Sequence, residues 1–327
     1  MAIERRAFLA VVGTVLASPT ILRATEPSWP TRPITMVVAS AAGGALDATG
    51  RVLQPRLSAL LGESIVIDNR GGGGGVMGVE VTSRAAPDGH TLLLGHLGAL
   101  VINGLMRGEG AVDSLAAFEP ISLVVEVPSV LVVPAERPWR TLNDLIAAAR
   151  AKPGALSWGH SGVGSTNHLS GALLDQTAGI QTVGIPYRGG APLALDLVAG
   201  RLDFSFATSA SIITYLERGL VRAIAIPSLQ RSSFLPDVPT VAEAAGLTGF
   251  EVRNWYGLLA PKNTPAPVLT QLNVAMRRLL TEPETISVLR RQGLEPTPSS
   301  PEEFTAQIIS ERRKWAPVVR ASGVRVD

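Results

Sequence analysis

At 327 residues, with 46% hydrophobic and 17% charged side chains, the chain carries enough apolar content to bury cores in about two globular domains. It has no cysteine, which excludes disulfides and thiolate metal sites. The formal charge of +2 resides in the first 24 residues, where Arg5, Arg6 and Arg23 outnumber Glu4; the balanced remainder has no basic stripe for nucleic acid.

Arg5-Arg6 precede an apolar run over 7–16 that ends in small residues and Pro19. Such a run is too short for a membrane span, which needs roughly 20 apolar residues, and suits the core of a signal peptide. A signal peptide is therefore expected over 1–24, cut after Ala17 or Ala24, with the mature protein exported to a bacterial envelope. The order Arg5-Arg6-Ala7-Phe8-Leu9 resembles a twin-arginine signal; Glu4 and a poor small-x-small site count against it, so both export routes stay open.

Residues 34–38 (ITMVV) read as a buried strand, followed by the small-residue turn at 40–47 and a helix with Leu46, Leu53, Leu57, Leu60 and Leu61 at helical spacing. Pro55 removes one backbone donor within it. A second strand at 64–68, five glycines at 71–75, a helix over 76–86 and a third strand at 91–95 repeat the β-α alternation that favours a mostly parallel, two-sided sheet. Two apolar stretches flank Pro128, and the chain is expected to cross to a second domain near Val130. That domain reads as a helix opened by Thr141 and closed by Lys152-Pro153-Gly154, then three β-α steps: the loop at 157–165 with a helix over 167–178, the strand 183–186 with a helix to Ala199, and the strand 202–207 with a helix over 211–217. A strand at 223–226 and a short helix after Pro239-Thr240 follow. Residues 251–260 return as a strand, and the last third is helical, with Thr264-Pro265 as a candidate cap and Ser300-Pro301-Glu302-Glu303 at capping-box spacing.

The stretch Ser157-Trp158-Gly159-His160-Ser161-Gly162-Val163-Gly164-Ser165-Thr166-Asn167-His168-Leu169 places glycines and short hydroxyls at a helix start, where bare N–H groups can converge on an anion. Gly73-x-Gly75-x-x-Gly78 matches the dinucleotide fingerprint, but no acidic residue ends the next strand, so a turn with close helix packing is the alternative. Gly159-His160-Ser161-Gly162-Val163 fails the nucleophile elbow at Val163. His160 and His168 lack a nearby carboxylate cluster for base or metal work, and backbone bonding in the first turn is the plainer role for His168. Asp47 suits either a ligand amine or the helix macrodipole. Arg188 suits a carboxylate or solvent, Tyr187 a pocket wall or the core, and Asp203 a backbone cap.

Six motifs in order carry a resemblance: Gly43-Gly44-Ala45-Leu46-Asp47, Asp68-Asn69-Arg70, Pro87-Asp88-Gly89-His90-Thr91-Leu92-Leu93, Gly162-Val163-Gly164-Ser165-Thr166-Asn167-His168-Leu169, Pro186-Tyr187-Arg188-Gly189-Gly190-Ala191-Pro192, and Leu235-Pro236-Asp237-Val238-Pro239-Thr240. The chain resembles the Bug-type substrate-binding proteins of tripartite tricarboxylate transporters over nearly its whole mature length. The resemblance implies an α/β, type II periplasmic-binding-protein fold, two α/β lobes joined by two crossing strands. Lobe one would take residues 25–130 and 251–327, lobe two 131–250.

It further implies a periplasmic receptor, monomeric and not an enzyme, that holds a small organic carboxylate in the cleft and presents it to a membrane permease, with no cofactor, metal or nucleic acid. The ligand-binding positions it implies are Ala42, Gly43, Gly44 and Asp47, with the turn Gly95-His96-Leu97, in lobe one. In lobe two they are Ser161, Gly162, Gly164, Ser165, Thr166, His168, Tyr187, Arg188, Gly189, Gly190, Ala207 and Thr208. Two positions depart from the family, which usually has proline where this chain has Ala42 and Gly71; the first bears on ligand fit, the second is expected to affect only the start of the next helix. A ligand-sensing subunit for a signalling partner, or a serine hydrolase using Ser161 or Ser165, are the alternatives.

Overall fold

A computed structural model describes residues 29–322 except 109, 188 and 233, and not the side chains of 321 and 322. The expected signal peptide lies outside the described residues. The chain opens with β1 (Ile34–Val38), α1 (Ala45–Leu61), β2 (Ile65–Asn69), a tight turn at Gly73–Gly75, α2 (Val76–Ser83) and β3 (Thr91–His96). A buried π-helical turn, Gly98–Ile102, then leads into α3 (Asn103–Arg107) and α4 (Ser114–Ala117), a segment without a periodic signal in the sequence. β4 (Phe118–Glu126) and β5 (Ser129–Pro134) flank Pro128 as expected.

The middle of the chain forms α5 (Leu142–Ala151), β6 (Ser157–His160), α6 (Thr166–Ala178), β7 (Val183–Pro186), α7 (Gly190–Val198), β8 (Ser205–Thr208), α8 (Ser209–Glu217), β9 (Val221–Ala225) and α9 (Val241–Ala245). The return comprises β10 (Trp255–Pro261), α10 (Ala266–Thr281), α11 (Pro283–Arg291), β11 (Glu295–Pro296) and α12 (Pro301–Ser322).

A six-stranded sheet in the order β11-β4-β10-β3-β1-β2 organises one α/β lobe. β1 lies parallel to β2 and β3, and β10 runs antiparallel between β3 and β4. Ile34, Met36, Val37, Val38, Leu92, Leu93 and Leu94 are buried irrespective of the face they occupy, as a sheet covered on both sides requires. The second lobe has β5 antiparallel between β8 and β9, while β6 pairs parallel with β7 and reaches β8 through a parallel bridge from Trp158 to Phe204.

Two neighbouring segments cross between the lobes. Val127 donates its N–H to Asn254 O at 2.7 Å, and Val252 donates to Pro227 O at 2.7 Å. The Glu126–Arg253 ion pair joins the outgoing and returning chains beside them. At the lobe-one core, Trp255 and Phe304 meet edge to face at 5.3 Å, and buried Glu311 accepts from Trp315 Nε1 at 2.8 Å. α12 starts with the expected capping box, Ser300 and Glu303 each accepting from the other's N–H. Thr264, in contrast, turns its hydroxyl to Pro261 O at 2.7 Å, and Pro265 occupies the N-cap of α10 without a side-chain bond. No helix among the described residues is long and apolar enough to cross a membrane.

Candidate functional site

Because β1, β2 and β3 are parallel, the loops that follow them emerge along one edge of the first lobe; β6, β7 and β8 do the same in the second. In the first lobe Ala42, Gly43 and Gly44 form an exposed turn, and Gly43 adopts φ +83°, which glycine reaches without strain. Asp47 shapes that turn from below. It is 3% exposed, and its carboxylate accepts from Gly43 N at 2.8 Å, Arg51 Nε at 3.0 Å and Asn69 Nδ2 at 3.0 Å. The bond from Arg51 is the main reason its pKa lies below the usual carboxylate value. Neither a ligand amine nor the helix macrodipole, its two readings from sequence, anticipated these contacts, which tie the Gly43 turn to α1 and β2.

Gly95-His96-Leu97 packs inward. Leu97 is fully buried, and His96 accepts from Ala99 N at 3.4 Å. Burial lowers its pKa to about 4, against a backbone bond to Ala39 that works the other way. The fingerprint glycines also serve packing, since a Cβ on Gly75 would lie 2.8 Å from Ala39 O and one on Gly78 would lie 2.9 Å from Ala39 Cα. Gly71 is placed differently from the sequence expectation. A Cβ there would come within 2.6 Å of Ala41 N, so Gly71 packs against the turn at 41–44 as well as preceding α2.

In the second lobe Asn167, absent from the expected ligand set, is the hub. Its Oδ1 accepts from Ser161 N at 3.2 Å, Ser161 Oγ at 3.0 Å and Ser165 Oγ at 2.6 Å. Ser165 Oγ also caps α6 by accepting from His168 N at 3.3 Å. Both hydroxyls therefore face an amide and not an imidazole, unlike the serine–histidine arrangement a hydrolase uses. Gly162 and Gly164 take φ +122° and +76°, leaving Val163 half exposed between them. Thr166 Oγ1 reaches Asn254 Oδ1 in the returning crossover at 3.3 Å. Tyr187 donates its hydroxyl to Asp196 at 2.8 Å, and burial followed by that bond raises its pKa to about 12. Asp203 holds Ser157 N at 2.7 Å, a backbone role as expected. Ala207 is buried opposite Val130, and Thr208 pairs with Ser129 where the chain crosses. Arg188 lies outside the described residues.

Helix starts differ in capping: α4, α6 and α12 have a side-chain cap bond, and α2, α3, α10 and α11 have none. At α5 and α9, Thr141 and Thr240 complete capping boxes. At α1, α7 and α8 the N-caps are Gly44, Gly189 and Thr208, and none makes a side-chain cap bond. These three helices begin on the loop edges just described, and their first turns carry the positive end of the helix dipole without a side-chain acceptor from the N-cap; Ser209 N of α8 donates to Pro128 O at 2.8 Å, and Pro192 in α7 has no N–H. Among the described residues no cluster of three or more histidines and carboxylates could hold a metal ion.

His160 and His168 lie 4.5 Å apart by ring centroids, against the face of Trp158. His168 accepts from Gly164 N at 3.4 Å, the backbone bonding anticipated for it. Burial, then the neighbouring His160, lowers the His168 pKa to about 4, and burial lowers that of His160. Both rings fold in the neutral form, so the unfolded chain binds more protons between pH about 6.5 and about 4. Stability is therefore present above pH 6.5 and is lost as pH falls towards 4. Thermal melts across this range should show His168→Gln losing less stability than wild type, by roughly 1–3 kcal/mol at the acidic end; equal pH dependence in the two proteins would refute the assignment.

The family model described as "Tripartite tricarboxylate transporter family receptor" matches residues 49–324. The chain belongs to that family. This receptor is 33% identical to BugT of Bordetella pertussis over 320 residues, covering 97% of its own length and 98% of that protein's. Among solved structures it superposes on Rpa4515 of R. palustris with adipate at a TM-score of 0.81, with 33% identity and coverage of 91% and 99% of the two chains. MatC from Rhodopseudomonas palustris with bound malate gives 0.77, with 32% identity and coverage of 89% and 100%. The receptor thus has the type II periplasmic-binding-protein fold, two α/β lobes joined by two crossing strands, and is a Bug-type solute receptor of a tripartite tricarboxylate transporter family.

Proposed function

We propose that this receptor works in the periplasm as a monomer, captures a small organic carboxylate between its lobes and delivers it to the membrane permease of a tripartite tricarboxylate-type transporter, without chemistry on the ligand. Lobe one would comprise 25–130 with 251–327, and lobe two 131–250. The observation that carries this reading is the set of uncapped helix starts, α1 in one lobe and α7 and α8 in the other, at Gly44, Gly189 and Thr208. Backbone N–H groups from opposing lobes can share one anionic ligand, so binding favours the conformation in which both are engaged. The exposed turn at Ala42, Gly43 and Gly44, with Asp47 below it, would supply one side; Ser161, Gly162, Gly164, Ser165, Thr166, His168, Tyr187, Arg188, Gly189, Gly190, Ala207 and Thr208 would supply the other. The relatives solved with adipate and with malate are consistent with a small dicarboxylate.

Isothermal titration of the purified protein against a panel of mono-, di- and tricarboxylates tests the proposal. Saturable one-site binding of at least one acid is expected; absence of heat with every member would sink it.

A further inference from the structure

The loop Gly162–Ser165 belongs to the second lobe by sequence, yet it rests on the π-turn and α3 of the first. A Cβ on Gly164 would lie 3.1 Å from Asn103 Oδ1 and 3.1 Å from Met106 Sδ, and one on Gly98 would lie 3.4 Å from Gly164 O. The two chains meet this closely because both positions lack a side chain. Asn103 is 5% exposed, and its Nδ2 donates to Gly73 O at 3.2 Å and Gly74 O at 2.9 Å. One carboxamide thus holds the glycine turn of lobe one with its nitrogen and faces the ligand loop of lobe two with its oxygen. The π-turn before it, with its wider i→i+5 bonding, delivers Asn103 to this junction; such turns recur at functional positions.

We infer that Asn103 is a positioning residue for ligand capture, a latch that seats Gly164 on the first lobe and so favours the conformation in which both ligand loops face one another. The inference rests on the receptor reading for its consequence but not for its geometry. When the lobes part, Gly164 leaves Met106 and the carboxamide oxygen, while the bonds to Gly73 and Gly74 can persist. Removing the latch lowers the fraction of receptor competent to bind, and apparent affinity falls by that fraction.

The chain has no cysteine, so Val274→Cys in α10 and Leu195→Cys in α7, at side chains 61% and 60% exposed, accept spin labels at unique sites on the two lobes. In ligand-free protein, Asn103→Ala is expected to shift the label separation to longer and broader values. Titrations with adipate and malate should show the dissociation constant of any acid that binds rising about tenfold. Gly164→Ala approaches the same contact from the other lobe with Asn103 intact and should shift the separation in the same direction. A merely structural Asn103 would lower the melting temperature and leave the separation of the folded protein unchanged. Unchanged separations in the folded variants, or in Gly164→Ala alone should Asn103→Ala not fold, overturn the inference. If wild type binds neither acid, these dicarboxylates are not its ligands, while the label separation still decides the latch.

Discussion

Gly71→Ala is expected to weaken carboxylate binding by about ten- to a hundredfold while changing the melting temperature little. The position does not require glycine for its backbone angles; it requires space. An added Cβ would stand 2.6 Å from Ala41 N, 3.1 Å from Ala41 Cα and 3.1 Å from Ser40 C, all backbone atoms that cannot rotate away. The exposed turn at 41–44 must therefore move, carrying with it the N–H groups that open α1. Overpacking of this kind costs about 1–3 kcal/mol, and about 1.4 kcal/mol is tenfold in affinity. Because the turn is exposed, the strain falls on the binding loop more than on the core. Titration of both proteins with the acid that wild type binds best decides the matter: an unchanged dissociation constant would show that Gly71 does not set the loop.

The largest stability loss is expected for Trp158→Ala. The indole is 4% exposed and lies in a notch between α6 and β7, where a Cβ on Gly171 would come 2.5 Å from Trp158 Cη2 and one on Gly184 would come 3.0 Å from Cζ2. It stacks on Phe204 at 6.3 Å and on His168 at 6.0 Å, with His160 tilted against it at 5.2 Å. Truncation leaves a cavity that two glycines cannot fill, for a loss of about 3–5 kcal/mol. At roughly 2–4 °C per kcal/mol this is a melting-point drop of about 6–20 °C. Water reaching the histidine pair through that cavity should also raise both imidazole pKa values towards the ordinary range and flatten the acid limb of the stability profile. A fall of less than about 3 °C in a calorimetric melt would contradict this account of the packing around Trp158.

The repeated strand, small-residue turn and helix were legible in the sequence because each strand is a short apolar run bounded by glycine, proline or polar residues, as at Ile34–Val38 and Thr91–His96. The two strands flanking Pro128 were legible for the same reason. Gly98–Ile102 was not, since a fully buried π-turn has neither helical nor strand periodicity, and β11 spans only Glu295 and Pro296. At the site, local chemistry was readable and long-range contact was not. Backbone bonding by His168 was readable from its place in the first turn of α6, whereas the contacts of Asn103 and Gly71 come from segments about 30 to 60 residues away. Asn167 sits inside the quoted motif, but its three donors become visible only when the loop is folded back on itself. Asp47 was recognisable as important, yet Arg51 and Asn69, which divide its oxygens between them, decide how it acts.

The two-sided clamp is tested most directly by following backbone amides of the 15N-labelled protein during titration with the carboxylate that binds it best. The account predicts that amides in the first-lobe turn, Gly43 and Gly44, shift with the same dissociation constant as Gly164, Ser165, Gly189 and Gly190 in the second. Saturating shifts confined to one lobe would contradict it.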